Sequence, residues 1–287
     1  MNNIENKVTI FMVAYNSSYE IENIIKKINS NIKILIIENS NKIQTKNYFE
    51  NKFKNVRVIL CKKNHGNTRG FNIGLKNSKT PYSLYLDMDV DFEVSIIQEF
   101  INFAEKIKDF ALLVPQHQKN NYPKSWEFKP LEEDMEKIRM NKIHGHFLLF
   151  NMEAVKKVGE FDEKIFFYYE ETDYCERINK KNLKIYLLKN MKVKHIGGGS
   201  YDQKYHNHIQ PLRHWHIMWG KFYFFKKHYG YLRAYIETLP DFFEASFKIL
   251  IFTLLNDKNK LNIYKNRLSG LLNSIIGKSS WKRPDEL

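Results

Sequence analysis

The sequence predicts an α/β fold built on a mostly parallel sheet with helices on both faces. Three observations predict it: short apolar runs near residues 8–13, 33–37, 57–60 and 82–86, helical stretches between them, and a polar residue (Tyr15, Glu38, Asp87) just beyond the first, second and fourth runs. Ligands of such sheets bind beyond the carboxyl ends of the strands, so those three residues are expected along one edge.

Residues 8–13 form an apolar run that ends in Ala14, Tyr15 and Asn16, and Ser17 followed three positions later by Glu20 is a helix-start pairing. In the helix that follows, Ile21, Ile24, Ile25 and Ile28 recur at the spacing of one helical face, and 33–37 returns as a buried strand. A third strand at 57–60, a short helix at 68–76 and a fourth strand at 82–86 continue the alternation. Ser95 caps a helix that turns Ile96, Ile97, Phe100 and Ile101 inward. From 116 to 140 the pattern breaks down into polar, charged and Pro-bearing sequence, read as a loop with one helix. A strand at 146–150, a helix at 153–158 closed by Gly159, a helix at 171–180 and short strands at 184–188 and 192–195 complete the sheet. Beyond Gln210 the chain reads as helical and aromatic. The expected division is an α/β domain over 1–230 and a helical extension over 231–287.

Hydrophobic residues at 43% and charged residues at 27% describe a folded protein. Lys and Arg outnumber Asp and Glu by 46 to 32, so polyanions or anionic membranes are attracted unless the lysines are simply a solvated face. Cys61 and Cys175 are the only cysteines, too few for a disulfide framework, which fits a reducing compartment. No signal-peptide pattern opens the chain and no apolar run reaches the ~18 residues that span a bilayer. A cytoplasmic protein, peripheral on the membrane at most, is expected.

Three constellations carry chemistry. Asp87 and Asp89 leave the fourth strand at i and i+2 and point to one side, where two carboxylates can hold one divalent ion against a diphosphate. On its own, Asp-x-Asp also reads as an acidic strand terminus. Glu170, Glu171 and Asp173 crowd three acids into four residues, which costs stability unless a cation, a donor or a proton is shared; a charged first helical turn is the competing reading. His195, followed by three glycines and Ser200, offers an imidazole at a strand end and backbone N–H groups that can approach a phosphate.

Taken in order, these pieces resemble the inverting family 2 glycosyltransferases of the GT-A fold, a Rossmann-like architecture, and within them the rhamnosyltransferase-like branch of bacterial surface-polysaccharide synthesis. The match runs from Val8-Thr-Ile-Phe-Met-Val-Ala-Tyr-Asn16 through Ile36-Ile-Glu-Asn-Ser40, Asn64 to Gly74, Leu86-Asp-Met-Asp-Val90, Gly145, Gly159 to Glu163, Glu170 to Arg177 and Val193 to Ser200. The resemblance implies that Tyr15, Asn16 and Glu38 hold base and ribose, with Asn64, Arg69 and Ser200 near the nucleotide sugar. It implies that Asp89 and His195 bind Mn2+ or Mg2+, with Asp87 on metal or ribose, and that Glu171 is the general base. Two positions depart from the family: Glu38 and Glu171 stand where Asp is usual, so Glu170 is a second candidate base, and Asp173 is expected to orient the helix or the acceptor.

The implied reaction moves a sugar from a UDP- or dTDP-linked donor to a hydroxyl of a saccharide or lipid-linked acceptor, with inversion and without a covalent intermediate. Specificity is expected from 116–140 and from the surroundings of His144 and His146. The apolar tail over 231–255, with Arg233, Lys258, Lys260, Lys265 and Arg267, is read as lying on an anionic membrane surface, or else as packing on the catalytic domain or a second subunit of a homo-oligomer. A sugar nucleotidyltransferase is the rival enzyme, disfavoured because Ala14 to Ser18 is not a Gly-rich basic loop. A catalytically degenerate sugar-binding relative is the third reading, and the acidic cluster argues against a nucleic-acid partner.

Overall fold

The computed structural model describes residues 4–16, 18–107, 109–117, 130–195 and 206–284, side chains at 18, 19, 195 and 206–208 excepted. The chain packs as two compact units, Met1–Phe161 with Tyr174–Ser200, and Asp162–Asp173 with Tyr201–Leu287.

The first unit runs from a short 3-10 turn (Ile4–Asn6) through β1 (Val8–Ala14), α1 (Ser18–Lys27), β2 (Lys33–Glu38), α2 (Ile43–Lys52), β3 (Val56–Leu60), α3 (Gly66–Asn77), β4 (Tyr82–Leu86), β5 (Val90–Asp91) and α4 (Ser95–Ile107). It continues with β6 (Leu112–His117), β7 (Pro130–Glu133), β8 (Lys137–Met140), β9 (Phe147–Asn151), α5 (Met152–Val158), α6 (Glu170–Lys180, whose first turn belongs to the second unit) and β10 (Ile185–His195). The strand order is β3-β2-β1-β4-β9-β6-β10-β8-β7, with β5 paired to β10. Strands β3, β2, β1 and β4 are parallel, β9 runs antiparallel between β4 and β6, and β6 and β10 are again parallel. The carboxyl ends of β1, β2, β4 and β6 therefore lie on one edge.

Alternation along each strand builds a core on both faces of the sheet. Ile10, Met12, Ile34, Ile36, Leu84 and Leu86 pack with the inward residues of α1 and α4 on one side. Phe11, Leu35, Ile37, Tyr85 and Phe150 pack with Phe71 and Leu75 of α3 and with Tyr174, Cys175 and Ile178 on the other. Helix α3 sits so close to β1 that a methyl group at Gly70 would lie 2.5 Å from Val13 Cγ1, and one at Gly74 2.6 Å from Phe11 Cγ. Only a residue without a side chain fits there.

Three expectations change. Helix α2 was not expected, because it buries only Thr45 and Phe49 and so carries almost no apolar period. Over 116–140, expected as a loop with one helix, the described residues end β6 and form the β7–β8 hairpin; β7 is exposed throughout and so lacks a strand signature. The two short strands at 184–188 and 192–195 are one strand, β10, with an irregularity between Leu188 and Lys192. Ser17 lies outside the described residues, as does the stretch from Gly197 to Ser200.

The second unit is dominated by α7 (His206–Leu254) and α8 (Lys258–Ile275). Helix α7 breaks at Gly230, whose φ of 86° and ψ of 170° suit glycine. Trp215 is fully buried and donates to Ser269 Oγ at 3.2 Å, while Trp219 donates to Lys278 O at 2.9 Å. Both ring nitrogens of His216 are engaged, with Ser280 Oγ at 3.0 Å and Lys282 O at 2.9 Å, so the residues after α8 are fastened to α7. Among the described residues no helix is long and apolar enough to cross a membrane.

Candidate active site

The sheet edge in the first unit gathers polar residues that are far apart in sequence. β1 delivers half-buried Tyr15 and exposed Asn16, which turns the chain with φ 58°, a left-handed value that Asn tolerates. β2 ends on Glu38, which is 1% exposed. Its Oε1 accepts from the Ser40 amide at 2.7 Å and the Ser40 hydroxyl at 2.6 Å. Its Oε2 is buried with no hydrogen-bond partner among the described residues. A buried carboxylate oxygen lacking a donor is costly, and a ligand N–H or O–H supplied there would remove the cost.

Asn39, which sequence reasoning did not single out, organises the next element. Its amide donates to Gly66 O at 3.2 Å and its Oδ1 receives the His65 amide at 3.4 Å. Asn64 Oδ1 accepts from Gly66 N at 2.9 Å, so this side chain shapes the entry to α3. Arg69 is exposed on the first turns of that helix.

β4 ends at Asp87, whose Oδ1 accepts from the Met88 amide at 2.9 Å. Asp89 is 5% exposed. The next residue, Val90, pairs across an antiparallel bridge with His195, and Asp91 pairs with Lys194. The backbone of His195 is thereby brought beside the Asp-x-Asp turn; its side chain lies outside the described residues, and so does Ser200. No three described His, Cys, Asp or Glu side chains converge as a metal-holding group. The carboxylates of Asp87 and Asp89 with an imidazole from His195 would be a hard, oxygen-rich donor set of the kind Mn2+ and Mg2+ accept.

Next along the same edge stand three imidazoles. The Asp87 amide donates to His146 O at 2.8 Å, which fixes His146 beside the carboxylate turn. The ring of His117, at the end of β6, lies 5.1 Å from that of His146 and 6.4 Å from that of His144, and the rings of His144 and His146 are 5.9 Å apart and nearly coplanar in orientation at 6°. His144 and His146 were legible as specificity candidates. His117 was not, because no strand was expected to end on it.

The acidic cluster belongs to the second unit. Tyr168 and Tyr169 precede it with φ of 62° and 73°, a conformation that bulky residues adopt only under constraint. Arg213 donates to Tyr168 Oη, and burial pushes the Tyr168 phenol up to about 12 against the opposing pull of Arg213. Glu170 is 2% exposed and Glu171 half-buried. Desolvation first, and the Glu170 carboxylate second, push the Glu171 carboxyl well above the usual carboxylate range. Such a group takes a proton more readily than an ordinary carboxylate, which is the property a general base needs.

Asp173 is in a different state. It is fully buried, and its Oδ1 receives Lys227 Nζ at 2.6 Å and pairs with His228 Nε2 at 2.8 Å. Lys227 also reaches Asp162 at 2.8 Å, where Tyr223 Oη donates at 2.8 Å to the same oxygen. Burial acts to raise Asp162, yet Lys227, Tyr223 and the Lys164 amide hold its carboxyl below the usual range. Asp173 thus anchors the acidic turn to α7. Lys227 and His228 carry no local signal of this role, since they lie on a helix more than fifty residues downstream.

Comparison with known proteins agrees with this architecture. The profile described as Glycosyl transferase family 2 matches residues 9–159. The low-salt glycan biosynthesis hexosyltransferase Agl10 of Haloferax volcanii is 20% identical over 199 residues, 62% of this chain and 63% of that protein, so the chain spans less than two thirds of that relative. A probable molybdenum cofactor guanylyltransferase of Clostridium perfringens is 28% identical over 181 residues, covering 62% of this chain and 81% of that protein. Among solved structures, the mannosyltransferase PcManGT of Pyrobaculum calidifontis, in complex with GDP-Man and Mn2+, superposes with a TM-score of 0.58 at 9% identity over 93% of this chain and 86% of that one. At that identity the likeness is one of fold.

Proposed function

Because the chain belongs to glycosyl transferase family 2, we propose that it transfers a sugar from a nucleotide sugar, UDP- or dTDP-linked, to a hydroxyl of a saccharide or lipid-linked acceptor, with inversion at the anomeric carbon. The observation that carries this reading is the pairing of Val90 with His195, which joins the Asp-x-Asp turn to the downstream histidine. Tyr15, Asn16 and Glu38 receive the base and ribose, and Glu38 Oε2 accepts the base N–H that its buried position lacks. Asn64, Arg69 and Ser200 flank the diphosphate. Asp87, Asp89 and His195 would hold Mn2+ or Mg2+, whose chemistry is to neutralise charge on the departing diphosphate. PcManGT is solved with Mn2+, in line with this donor set.

Glu171 takes the proton from the acceptor hydroxyl as that oxygen attacks the anomeric carbon and the bond to the diphosphate breaks. Glu170 keeps Glu171 basic by its charge, and Asp173 holds the turn through Lys227 and His228. A second reading, nucleotidyl transfer, is favoured by the guanylyltransferase relative. The turn after β1, Ala14-Tyr15-Asn16, lacks the glycines and basic residues that would cradle a triphosphate, which supports sugar transfer instead.

The two reactions release different products. Incubation with a panel of nucleotide sugars and, separately, with nucleoside triphosphates plus sugar phosphates, each with and without Mn2+ or Mg2+, distinguishes them. Nucleoside diphosphate released only with metal, and lost in Asp89→Asn, supports glycosyl transfer. Pyrophosphate release would transfer the assignment to the rival.

A further inference from the structure

After Gly230, helix α7 turns the wrong face outward for a helix of a self-contained unit. The most buried residues on the face against its own unit are small, with Phe242 packed among them: Ala234 is fully buried and shares a cluster with Leu271 of α8, and Thr238 and Ala245 are at most 2% exposed. The bulky apolar residues lie on the opposite side. Phe243 is 61% exposed; Leu239 and Phe247, four residues before and after it, are 52% and 62% exposed. Seven residues away on each side stand Ile236 and Leu250, and eleven away stand Leu232 at 76% and Leu254 at 79%. Steps of 4, 3, 4 and again 4, 3, 4 average close to the helical repeat, so all seven fall on one nearly straight stripe.

We propose that this stripe is the interface of a homodimer in which α7 of one copy packs antiparallel on α7 of a second, with the two-fold axis at Phe243. The first support is area. Taking roughly 200 Å2 for a fully exposed side chain of this size, the stripe offers about 900 Å2 of apolar surface. The largest apolar patch on an ordinary monomer is about 300–600 Å2, and a stable pair buries about 800 Å2 on each partner.

The second support is self-complementarity. The spacing reads the same in both directions from Phe243, so a two-fold axis there sets Leu239 against Phe247, Ile236 against Leu250 and Leu232 against Leu254, apolar on apolar at every step. An isologous contact requires that property and a one-sided partner does not. The third support is charge. Residues 231–255 carry Arg233 and Lys248 against Glu237, Asp241 and Glu244, so the segment is slightly acidic, whereas helices that lie on anionic lipid carry Lys and Arg along their polar face. Arg267, one of the basic residues that would favour lipid, is turned onto Asp241 and Glu244 at 3.1 and 3.2 Å.

Single cysteines test the register, since Cys61 and Cys175 are buried. The 287-residue chain sediments at twice its 34.5 kDa mass, and Phe243→Glu, a change at an exposed position, returns it to monomer with an unchanged circular dichroism spectrum. Phe243→Cys forms a disulfide-linked dimer on mild oxidation. Leu232→Cys does not link to itself, because its copies lie about 33 Å apart, but links to Leu254→Cys when the two proteins are mixed. Three results would overturn the proposal: a monomer at tens of micromolar, self-linking of Leu232→Cys as in a parallel pair, or flotation of a monomer on phosphatidylglycerol vesicles that Phe243→Glu abolishes.

Discussion

Replacing Asp173 by Ala separates a structural anchor from a catalytic acid. In the folded protein its carboxylate holds Lys227 at 2.6 Å and His228 at 2.8 Å from a fully buried position. Lys227 is 27% exposed at its side chain and keeps its bond to Asp162, so losing Asp173 costs it about 1 kcal/mol. His228 is 4% exposed at its side chain, and a buried ring nitrogen stripped of this carboxylate costs about 2 kcal/mol. The expected destabilisation is therefore about 3 kcal/mol, with both groups acting through α7 on the turn that bears Glu170 and Glu171. Urea unfolding followed by tryptophan fluorescence reads it, because Trp215 and Trp219 are buried in the same unit. At a temperature where the variant is fully folded, sugar transfer falls less than tenfold, whereas Glu171→Gln falls by about 100-fold or more. An Asp173→Ala protein as stable as the parent yet devoid of transfer would refute the anchoring argument and restore Asp173 to the chemistry.

The remaining predictions concern the donor edge and the base. Gly74→Ala drives a methyl group into the buried Phe11 ring; overpacking of about 3 kcal/mol less about 1 kcal/mol of helix propensity leaves a loss of about 2 kcal/mol, read from the urea midpoint, and an unchanged midpoint would contradict the close packing of α3 on β1. Glu38→Gln replaces an unpartnered buried oxygen by an amide, so nucleotide affinity measured by calorimetry drops about tenfold while thermal stability holds or rises; equal affinity would remove Glu38 from the base site. Glu171 must be ionised to act, and its carboxyl is held high, so the acid limb of the rate profile lies above the ordinary carboxylate range; Glu170→Gln removes the neighbouring charge and moves that limb to lower pH. A folded-state value raised in this way favours the native protein in acid and loses that contribution as pH climbs through it. Glu171→Gln therefore melts higher than the parent at pH 8 and not at pH 4.

The parts of the fold that sequence reading recovers are those where burial is continuous. β1, β2 and β4 are apolar nearly throughout, and α1 and α4 bury a full helical stripe, so period and burial coincide. α2, β7 and β8 escape detection because they bury too little to impose a period. The site divides in the same way. Tyr15, Glu38 and Asp87 announce themselves by standing at strand ends. The neighbourhood of Asp89 and His195 depends on β5, a strand of two residues with no signature of its own, and only the family resemblance linked the two. His117, Lys227 and His228 acquire their roles from tertiary packing alone, through a strand end and a helix face whose partners are distant in the chain.

Helix α7 shows a further limit of periodicity. A stripe of Leu, Ile and Phe at helical spacing ordinarily marks the side that packs inward, and by that rule Leu232, Phe243 and Leu254 belong in the core. The structure inverts the rule where α7 packs with α8. Its Gly270 lies so close to α7 that a methyl group there would meet the Trp215 backbone carbonyl carbon at 2.9 Å. Past the break at Gly230, Ala234, Thr238 and Ala245 are buried, with Phe242 packed against the same cluster. Once one helix approaches by its small residues, the large ones on the far side have no core left to fill. Covering them would remove apolar area worth about 25 cal/mol per Å2, roughly 20 kcal/mol over the stripe as a gross upper bound before the costs of association. A second copy of the same face would supply that cover.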